Sequence, residues 1–348
     1  MPDPTTDTPS PSSNSPGKDD PLAFFARLKP HLARLDTFLH EQLLEFEPEV
    51  RELAAYCIDA SGKRIRPALV FFSGWQGDDT VSEDHVRLAA VIEMVHLATL
   101  VHDDIMDGAT LRRGRPTATE KFGPDTAVLL GDALFAHALH VAAQFPTTAV
   151  CRGVSRSTRR VCTGEIMQTL AGENTHRDTA YYRRVIELKT AELFHISCQL
   201  GAALAGHPAE LADAAGRFGR HLGTAYQIYD DLADFFGDEN RIGKTLGTDL
   251  ASNKATLPLL LLQQRLPTAE ADALRHEMAT GNTANIRLRI RQMADLRVFA
   301  DVMAAIEEEI HSAETALAPL GDIESTRLLR QLAAVLKAQA ARLRSASS

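Results

Sequence analysis

The sequence predicts an all-α protein with a single domain, and three observations lead to this fold class. From Pro21 onward, apolar residues recur three and four positions apart, which is the period of an amphipathic helix. Alternating runs typical of strands are scarce, and no Asn-Gly or Asp-Gly turn lies between apolar runs. The 348 residues are within reach of one large domain. We therefore expect one helical domain over residues 21–348.

Individual helices are predicted in chain order from the apolar period. Clear examples are AFFARLKPHLARLDTFLHEQLLEF, then LAAVIEMVHLATLV, and later RFGRHLGTAYQIYDDLADFF. Glycine and proline mark the loops between them, because both residues interrupt helices. These loops fall near Gly74–Gly77, Gly114–Pro116, Gly123-Pro124, Phe145-Pro146, Gly206–Pro208 and Gly237–Gly247.

Residues 1–20, MPDPTTDTPSPSSNSPGKDD, contain five prolines and almost no apolar side chain. This composition predicts a disordered tail, and it lacks the apolar core of a signal peptide. No later stretch offers about 18 uninterrupted apolar residues, so we expect no membrane span. A cytoplasmic location is the resulting prediction.

Charge and cysteine usage narrow the function classes. The net charge of −9 argues against long-range attraction to nucleic acid or anionic lipid. An anionic substrate would therefore need a local basic cluster or a metal ion. The four cysteines lie far apart without metal-type spacing, and each is expected to be a small core residue in a reducing compartment.

Two copies of an Asp-Asp-x-x-Asp motif carry the strongest chemical signal. The first comprises Asp103, Asp104 and Asp107, and the second comprises Asp230, Asp231 and Asp234. On a helix, the first and last aspartates of each motif are four apart and share a face, where like charges repel. Mg²⁺ resolves that repulsion, since it binds a few carboxylates and completes its shell with phosphate oxygens and water. The six aspartates are therefore predicted to bind magnesium around a diphosphate.

With these motifs the chain resembles the trans-isoprenyl diphosphate synthases, the polyprenyl synthetase family, over nearly all of residues 50–260. The resemblance implies a bundle of antiparallel helices around a deep central cavity, assembled as a homodimer. It also implies a prenyltransferase that condenses an allylic diphosphate repeatedly with isopentenyl diphosphate. About three Mg²⁺ per site would bind the allylic diphosphate and help it leave.

The resemblance assigns basic residues to the two diphosphates. Lys63 and Arg66 of SGKRIRP would bind isopentenyl diphosphate without metal, through charge-assisted hydrogen bonds. Arg113 and His96 would belong to the same subsite, and Arg112 to the allylic diphosphate. Lys244 and Lys254 would close over the allylic diphosphate from a glycine-containing loop.

Polar residues of apolar helices complete the implied catalytic set. Lys189, like Arg112 and Lys244, would stabilise the departing diphosphate. Thr190 and the Gln227 amide oxygen would face the allylic cation, and Gln168 would be a further polar position of the cavity. The released diphosphate would accept the proton that the new bond loses.

Chain length is predicted from the residues about one turn before Asp103. Short-chain members of the family carry bulky aromatics there, whereas Ala98 and Thr99 are small. Both should point down the cavity, with Leu139, Met94 and Val95 as floor candidates and Phe135 nearby. We therefore predict a long all-trans product, between hexaprenyl and decaprenyl.

Other interpretations stay open from sequence alone. The chain could be a farnesyl or geranylgeranyl diphosphate synthase, or the catalytic subunit of a two-component enzyme. A class I terpene cyclase also uses an aspartate-rich motif, but a second intact motif and the Lys63–Arg66 pair argue against it. A non-catalytic partner subunit should have lost motif aspartates. The basic faces of the amphipathic helices near the C-terminus are expected to be solvated surface. An alternative interpretation is that they contact a membrane peripherally.

Overall fold

The computed structural model describes residues 23–59, 62–76, 81–171, 177–237 and 246–346. The predicted tail, residues 1–20, and the predicted diphosphate ligand Lys244 both lie outside these ranges.

Helices dominate the first half of the described chain, and local signals set several of their starts. The Ser82 side chain accepts from His85 N and caps α4, Thr117 caps α5, and Pro124 occupies the first turn of α6. The helices are α1 (Ala23–Gln42), α2 (Pro48–Ile58), α3 (Ile65–Ser73), α4 (Glu83–Met106), α5 (Ala118–Phe122), α6 (Pro124–Ala143) and α7 (Thr148–Thr169).

The second half is also helical. Its elements are α8 (Thr179–Ile186), a π-helical turn (Glu187–Ala191), α9 (Glu192–Leu204), α10 (Ala209–Phe236), α11 (Thr248–Ala251), α12 (Leu257–Arg265), α13 (Thr268–Thr280), α14 (Ile286–Asp295), α15 (Val298–Ala316) and α16 (Glu324–Ala346). Helix α10 packs against α9 and α15, and α4 packs against α6. The predicted all-α bundle around a central cavity is confirmed.

The β structure of the described residues is one short antiparallel hairpin, β1 (Leu111–Arg112) and β2 (Arg115–Pro116). Arg113 and Gly114 form its turn with φ of +53° and +73°, as a two-residue type I′ turn requires. The sequence does not predict this hairpin, because its turn lacks the Asn-Gly signal. It matters for the site because it carries Arg112 and Arg113.

A π-helical turn separates α8 from α9 and carries Lys189 and Thr190. Single π turns inside helices are rare and occur often at functional sites. The backbone of α7 packs directly against this turn at Gly164, where an added Cβ would lie 2.7 Å from Lys189 N. The close approach therefore depends on a residue without a side chain.

Helix α6 is long and apolar enough to cross a membrane by length and composition. In its most apolar 18-residue window, 44% of the residues are buried inside the structure. Core helices pass the same test, so this helix is weak evidence for a span. The expectation that the chain has no span stays a prediction.

The cysteines differ from one another in their exposure. Cys57 and Cys198 are buried as expected, and Cys151 is half-buried. Cys162 is exposed and lies on the wall of the cavity, so the expectation that all four are core residues is wrong for it. All four are free thiols.

Candidate active site

A single cavity of about 1510 Å³ brings the predicted chemical residues together. All six motif aspartates line it. So do the other predicted diphosphate and cation ligands that the structure describes: Lys63, Arg66, His96, Arg112, Arg113, Gln168, Lys189, Thr190, Gln227 and Lys254. Residues 166 positions apart in the chain, such as Lys63 and Tyr229, share this one wall.

The first aspartate motif lies at the C-terminal end of α4. Burial raises the pKa of Asp103 to about 7, although the Lys189 ammonium, 3.6 Å away, opposes the shift. Lys189 also forms an ion pair with Glu165 and donates to Gln168 Oε1 at 2.9 Å. The cluster thus places one cation among several oxygens, and it joins α4, α7 and the π turn.

Asp104 is only 4% exposed and is bound by Arg112. The guanidinium donates to both carboxylate oxygens, with Nη2 at 2.6 Å and Nε at 2.9 and 3.0 Å. Such a bidentate pair fixes the hairpin that carries Arg112 against α4. In this arrangement Asp104 holds Arg112 in place, and its contact with an ion stays a prediction.

Asp231, the middle aspartate of the second motif, is likewise 4% exposed. It accepts from the Tyr182 hydroxyl at 2.6 Å and from Gln227 Nε2 at 2.8 Å. Burial raises the pKa of Asp231 to about 7, while the two hydrogen bonds act in the opposite direction. The Gln227 oxygen in turn accepts from the Thr190 hydroxyl at 2.7 Å.

The segment 246–254 contacts the last aspartate of each motif. Asp234 accepts from Thr248 N at 3.2 Å, Thr248 Oγ1 at 2.5 Å and Asp249 N at 3.0 Å, so it binds the start of α11. Lys254 donates to Asp107 at 2.8 Å. Burial disfavours a charged ammonium, but Asp107 raises the pKa of Lys254 overall.

The oxygen-rich wall fits a hard divalent ion that shares its shell with a substrate. Among the described residues, no three His, Cys, Asp or Glu side chains converge closely enough to hold a metal ion by themselves. Carboxylates at the end of α4 and in α10 nevertheless face one cavity. Mg²⁺ suits such a site, because it commonly binds through one or two carboxylates, waters and phosphate oxygens.

A basic pocket lies in the same cavity, around His96. Burial lowers the pKa of His96 well below its usual value, and the charges of Arg66, Arg113, Arg112 and Arg64 lower it further. Arg66 Nε is a buried donor without a hydrogen-bond partner, and the Arg113 guanidinium lies against Gly62. An anion would satisfy this concentration of donors.

Arg64, inside the same GKRIRP run, has a structural position. It is 9% exposed, with φ of +49°, and it forms ion pairs with Glu93 at 2.7 Å and Asp36 at 3.2 Å. Arg64 therefore differs from Lys63 and Arg66 in being held by two ion pairs, although it lines the same cavity.

Several residues of the cavity were missed or misjudged from sequence. Glu165 and Tyr182 contact predicted site residues, but each is an isolated polar residue in a helix and carries no motif signal. Gln339, Arg342 and Leu343 of α16 also line the cavity, whereas the C-terminal helices were expected to be plain solvated surface. Arg289 of α14 is 3% exposed and pairs with Glu277, so its helix is not basic only on the outside.

The chain-length prediction is correct in placement for Thr99 and wrong for Ala98. Thr99 lies four residues before Asp103 and lines the cavity. Ala98 is fully buried and does not line it. The reason is the 100° step between successive helical residues, which turns a residue five positions back away from the face of Asp103.

The predicted floor residues also lie elsewhere. Met94, Val95 and Leu139 do not line the cavity, and Met94 and Val95 are fully packed in the core. Phe135 does line it, with its ring 5.8 Å from the His102 imidazole. His102 itself is bound to α6, since its Nε2 lies 3.1 Å from Val128 O.

Replacing Thr99 with phenylalanine is expected to shorten the product. The ring adds volume to the cavity wall below the first motif, and packed helices relax only partly around it. Chromatography of dephosphorylated products measures the shift. Ala98→Phe is the matched control: it should overpack the core and cost about 1–3 kcal/mol of stability. Shorter products from Ala98→Phe alone would contradict this assignment.

The chain belongs to the polyprenyl synthetase family, whose model matches residues 47–293. An all-trans-nonaprenyl-diphosphate synthase (geranyl-diphosphate specific) of Rhodobacter capsulatus is 35% identical over 77% of this chain and 82% of its own length. The octaprenyl diphosphate synthase of Escherichia coli is 34% identical over 72% of this chain and 77% of its own.

A solved structure agrees with the fold. A polyprenyl synthase from Caulobacter crescentus, complexed with calcium and isoprenyl diphosphate, has a TM-score of 0.82 and 28% identity. The match covers 93% of this chain and 98% of that one. The family membership confirms the predicted prenyltransferase class, and the named relatives favour the long-chain interpretation over the short-chain one.

Proposed function

We propose that this protein condenses an allylic diphosphate repeatedly with isopentenyl diphosphate to make a long all-trans polyprenyl diphosphate. One observation carries the proposal: two aspartate motifs and a separate arginine pocket face the same cavity of about 1510 Å³. Two diphosphates of different fate need two such environments. The octaprenyl and nonaprenyl relatives support the product class.

The aspartate motifs are proposed to hold about three Mg²⁺ with the allylic diphosphate. When bound, the ions would neutralise the negative charge of the diphosphate as it leaves. Asp103, Asp107 and Asp230 are the proposed direct ligands. Asp104, Asp231 and Asp234 are proposed to act chiefly through the protein groups they bind. The calcium bound to the Caulobacter protein supports a divalent ion.

Cationic side chains are proposed to assist departure of the allylic diphosphate. Lys189 and Arg112 are already held in the cavity by Glu165 and Asp104, so they require little reorganisation. Lys254 is held at the first motif by its ion pair with Asp107. Lys244 keeps the role that the resemblance gives it, outside the described residues.

Isopentenyl diphosphate is proposed to bind in the arginine pocket, at Lys63, Arg66, Arg113 and His96. A neutral His96 could donate one hydrogen bond without adding to the repulsion among the arginines. The double bond of this substrate would attack the allylic cation beside Thr190 and Gln227. The released diphosphate would then take the proton, since no side-chain base is needed.

The two diphosphate sites predict opposite kinetic effects for substitutions in the arginine pocket and beside the aspartate motifs. Arg66→Ala should raise the KM for isopentenyl diphosphate about ten- to a hundredfold. Losing a charge-assisted hydrogen bond costs about 1.5–3 kcal/mol of binding free energy, which corresponds to a change of that size. Lys254→Ala should raise the KM for the allylic substrate instead. Steady-state kinetics with each substrate varied in turn measures both. Equal weakening of both substrates by both variants would refute the division of sites.

Product analysis tests the function directly. The purified protein, given farnesyl and isopentenyl diphosphates with Mg²⁺, should form polyprenyl diphosphates of six to ten units by the family's length range, and excess EDTA should abolish the reaction. A terpene cyclase would instead release hydrocarbon from the allylic substrate alone. A non-catalytic subunit would form no product under any of these conditions.

A homodimer is proposed on the family resemblance and on the surface of α6. That helix exposes Leu129 to 68%, and a second copy would cover this apolar side chain. Sedimentation of the purified protein tests it. We also propose a cytoplasmic location and a peripheral membrane contact through which the product is delivered.

A further inference from the structure

A chain of three hydrogen bonds crosses the wall of the cavity behind the predicted cation site. It runs from the Thr190 hydroxyl to Gln227 Oε1 at 2.7 Å, and from Gln227 Nε2 to Asp231 Oδ1 at 2.8 Å. The Tyr182 hydroxyl donates to the second Asp231 oxygen, Oδ2, at 2.6 Å. The chain thus links the π turn, α10 and α8, and Asp231 is its common acceptor.

The direction of these bonds follows from the donor inventory. In its ionised form the Asp231 carboxylate only accepts, and the structure has Gln227 donating to Asp231 Oδ1 through its NH₂ group. Its amide oxygen is then the atom that faces Thr190. The Thr190 proton is directed to that oxygen in turn, which leaves the Thr190 lone pairs for the cavity that Thr190 lines.

We infer that Tyr182 and Asp231 are positioning residues that lock the Gln227 amide, and through it the Thr190 hydroxyl, with oxygen lone pairs toward the developing allylic cation. The inference rests on the proposed function. An amide flipped by 180° would turn its NH₂ hydrogens toward Thr190 and the cavity. Preorganised dipoles stabilise charge best when they need no reorientation during the reaction.

Tyr182 helps to fix the Gln227 amide because its hydroxyl donates to the second Asp231 oxygen. A single donor would leave that buried carboxylate half-satisfied and free to rotate. With donors on both oxygens, the carboxylate plane is fixed, and the bond to Gln227 keeps its geometry. The hydroxyl of Tyr182 therefore acts on the reaction through two other side chains, those of Asp231 and Gln227.

The kinetic test compares Tyr182→Phe with a neighbour. Tyr182→Phe removes only the hydroxyl, and kcat should fall about tenfold, the equivalent of about 1.4 kcal/mol. The KM values of both substrates should change by less than about twofold, because the binding groups stay in place. Tyr181→Phe is the matched control, since its hydroxyl donates to the Met167 carbonyl at 2.5 Å. It should keep the wild-type kcat.

A double-mutant cycle separates positioning from a general structural effect. Gln227→Leu removes the amide that is held, so adding Tyr182→Phe to it should cause no further loss of kcat. If the two losses multiply, Tyr182 acts independently of Gln227 and the inference is wrong. A rise in KM at unchanged kcat for Tyr182→Phe would overturn it as well.

A spectroscopic test is independent of turnover. In protein labelled with ¹⁵N at glutamine side chains, the Gln227 amide signal is identified by its loss in Gln227→Leu. Tyr182→Phe should shift it and speed its hydrogen exchange, whereas Tyr181→Phe should leave it unchanged. An unaffected signal in Tyr182→Phe would refute the lock. An inactive wild type with the expected spectra would refute the proposed function alone.

Discussion

Replacing Asp103 with alanine is expected to reduce prenyl condensation about a thousandfold or more. This carboxylate faces the cavity at the end of α4 and is a proposed direct magnesium ligand. Metal-assisted charge neutralisation is worth several kcal/mol, and about 4 kcal/mol corresponds to a thousandfold in rate. Initial rates measured over a range of Mg²⁺ concentrations check the result.

The fold should survive this substitution. Burial raises the pKa of Asp103 to about 7, so the ionised carboxylate is unfavourable in the metal-free protein. A raised carboxyl pKa means that this group favours folding at low pH and loses that contribution as the pH rises through 7. Asp103→Ala should therefore melt no lower than wild type at pH 8 without metal. Asp132→Ala, an exposed carboxylate of the same cavity, is the control and should retain most activity.

Arg64→Met is expected to lower the free energy of unfolding by about 3–5 kcal/mol, because it leaves the buried Glu93 carboxylate without its main partner. The side chains of Arg64 and Glu93 are 8% and 6% exposed. Urea denaturation followed by circular dichroism measures the change.

The neighbouring residue provides the comparison. Lys63 is exposed, so Lys63→Met should change stability by less than about 0.5 kcal/mol. Adding Glu93→Leu to Arg64→Met removes the orphaned charge and should recover much of the lost stability. An equal loss in the single and double variants would show that Arg64 contributes through packing instead.

The sequence was sufficient to predict the helical fold and most of the site, for a physical reason. The apolar period reports which helix faces are buried, and repeated carboxylates on one face are hard to explain without a cation. Both aspartate motifs and the Lys63–Arg66 pair consequently lie on one cavity as expected.

Other features depend on packing that no local pattern records. The π turn at Glu187–Ala191 inserts one residue into an otherwise helical period, and its close partner Gly164 is distant in sequence. The sequence prediction is wrong for Ala98 because residues four and five positions before Asp103 lie on different faces of the helix. Arg342 reaches the cavity from the C-terminal helix, whose sequence looks like ordinary surface.

The roles of the middle aspartates could not be read from the motif either. Asp104 and Asp231 look equivalent to their neighbours in sequence, yet one binds Arg112 and the other binds Tyr182 and Gln227. The donor to Asp104 comes from the hairpin after α4, and one donor to Asp231 comes from helix α8. Their positions follow from tertiary packing.

The segment 246–254 binds Asp234 at one end and Asp107 at the other. A ligand that displaces either contact would change the energy of this segment, and the segment would carry that change to the opposite motif. Thermodynamic reciprocity requires the influence to be equal in both directions. Ligand affinities measured at one motif alone would consequently miss the coupling free energy between the two motifs. Titrations of a divalent ion and the allylic diphosphate together, compared with titrations of each alone, would measure that coupling free energy.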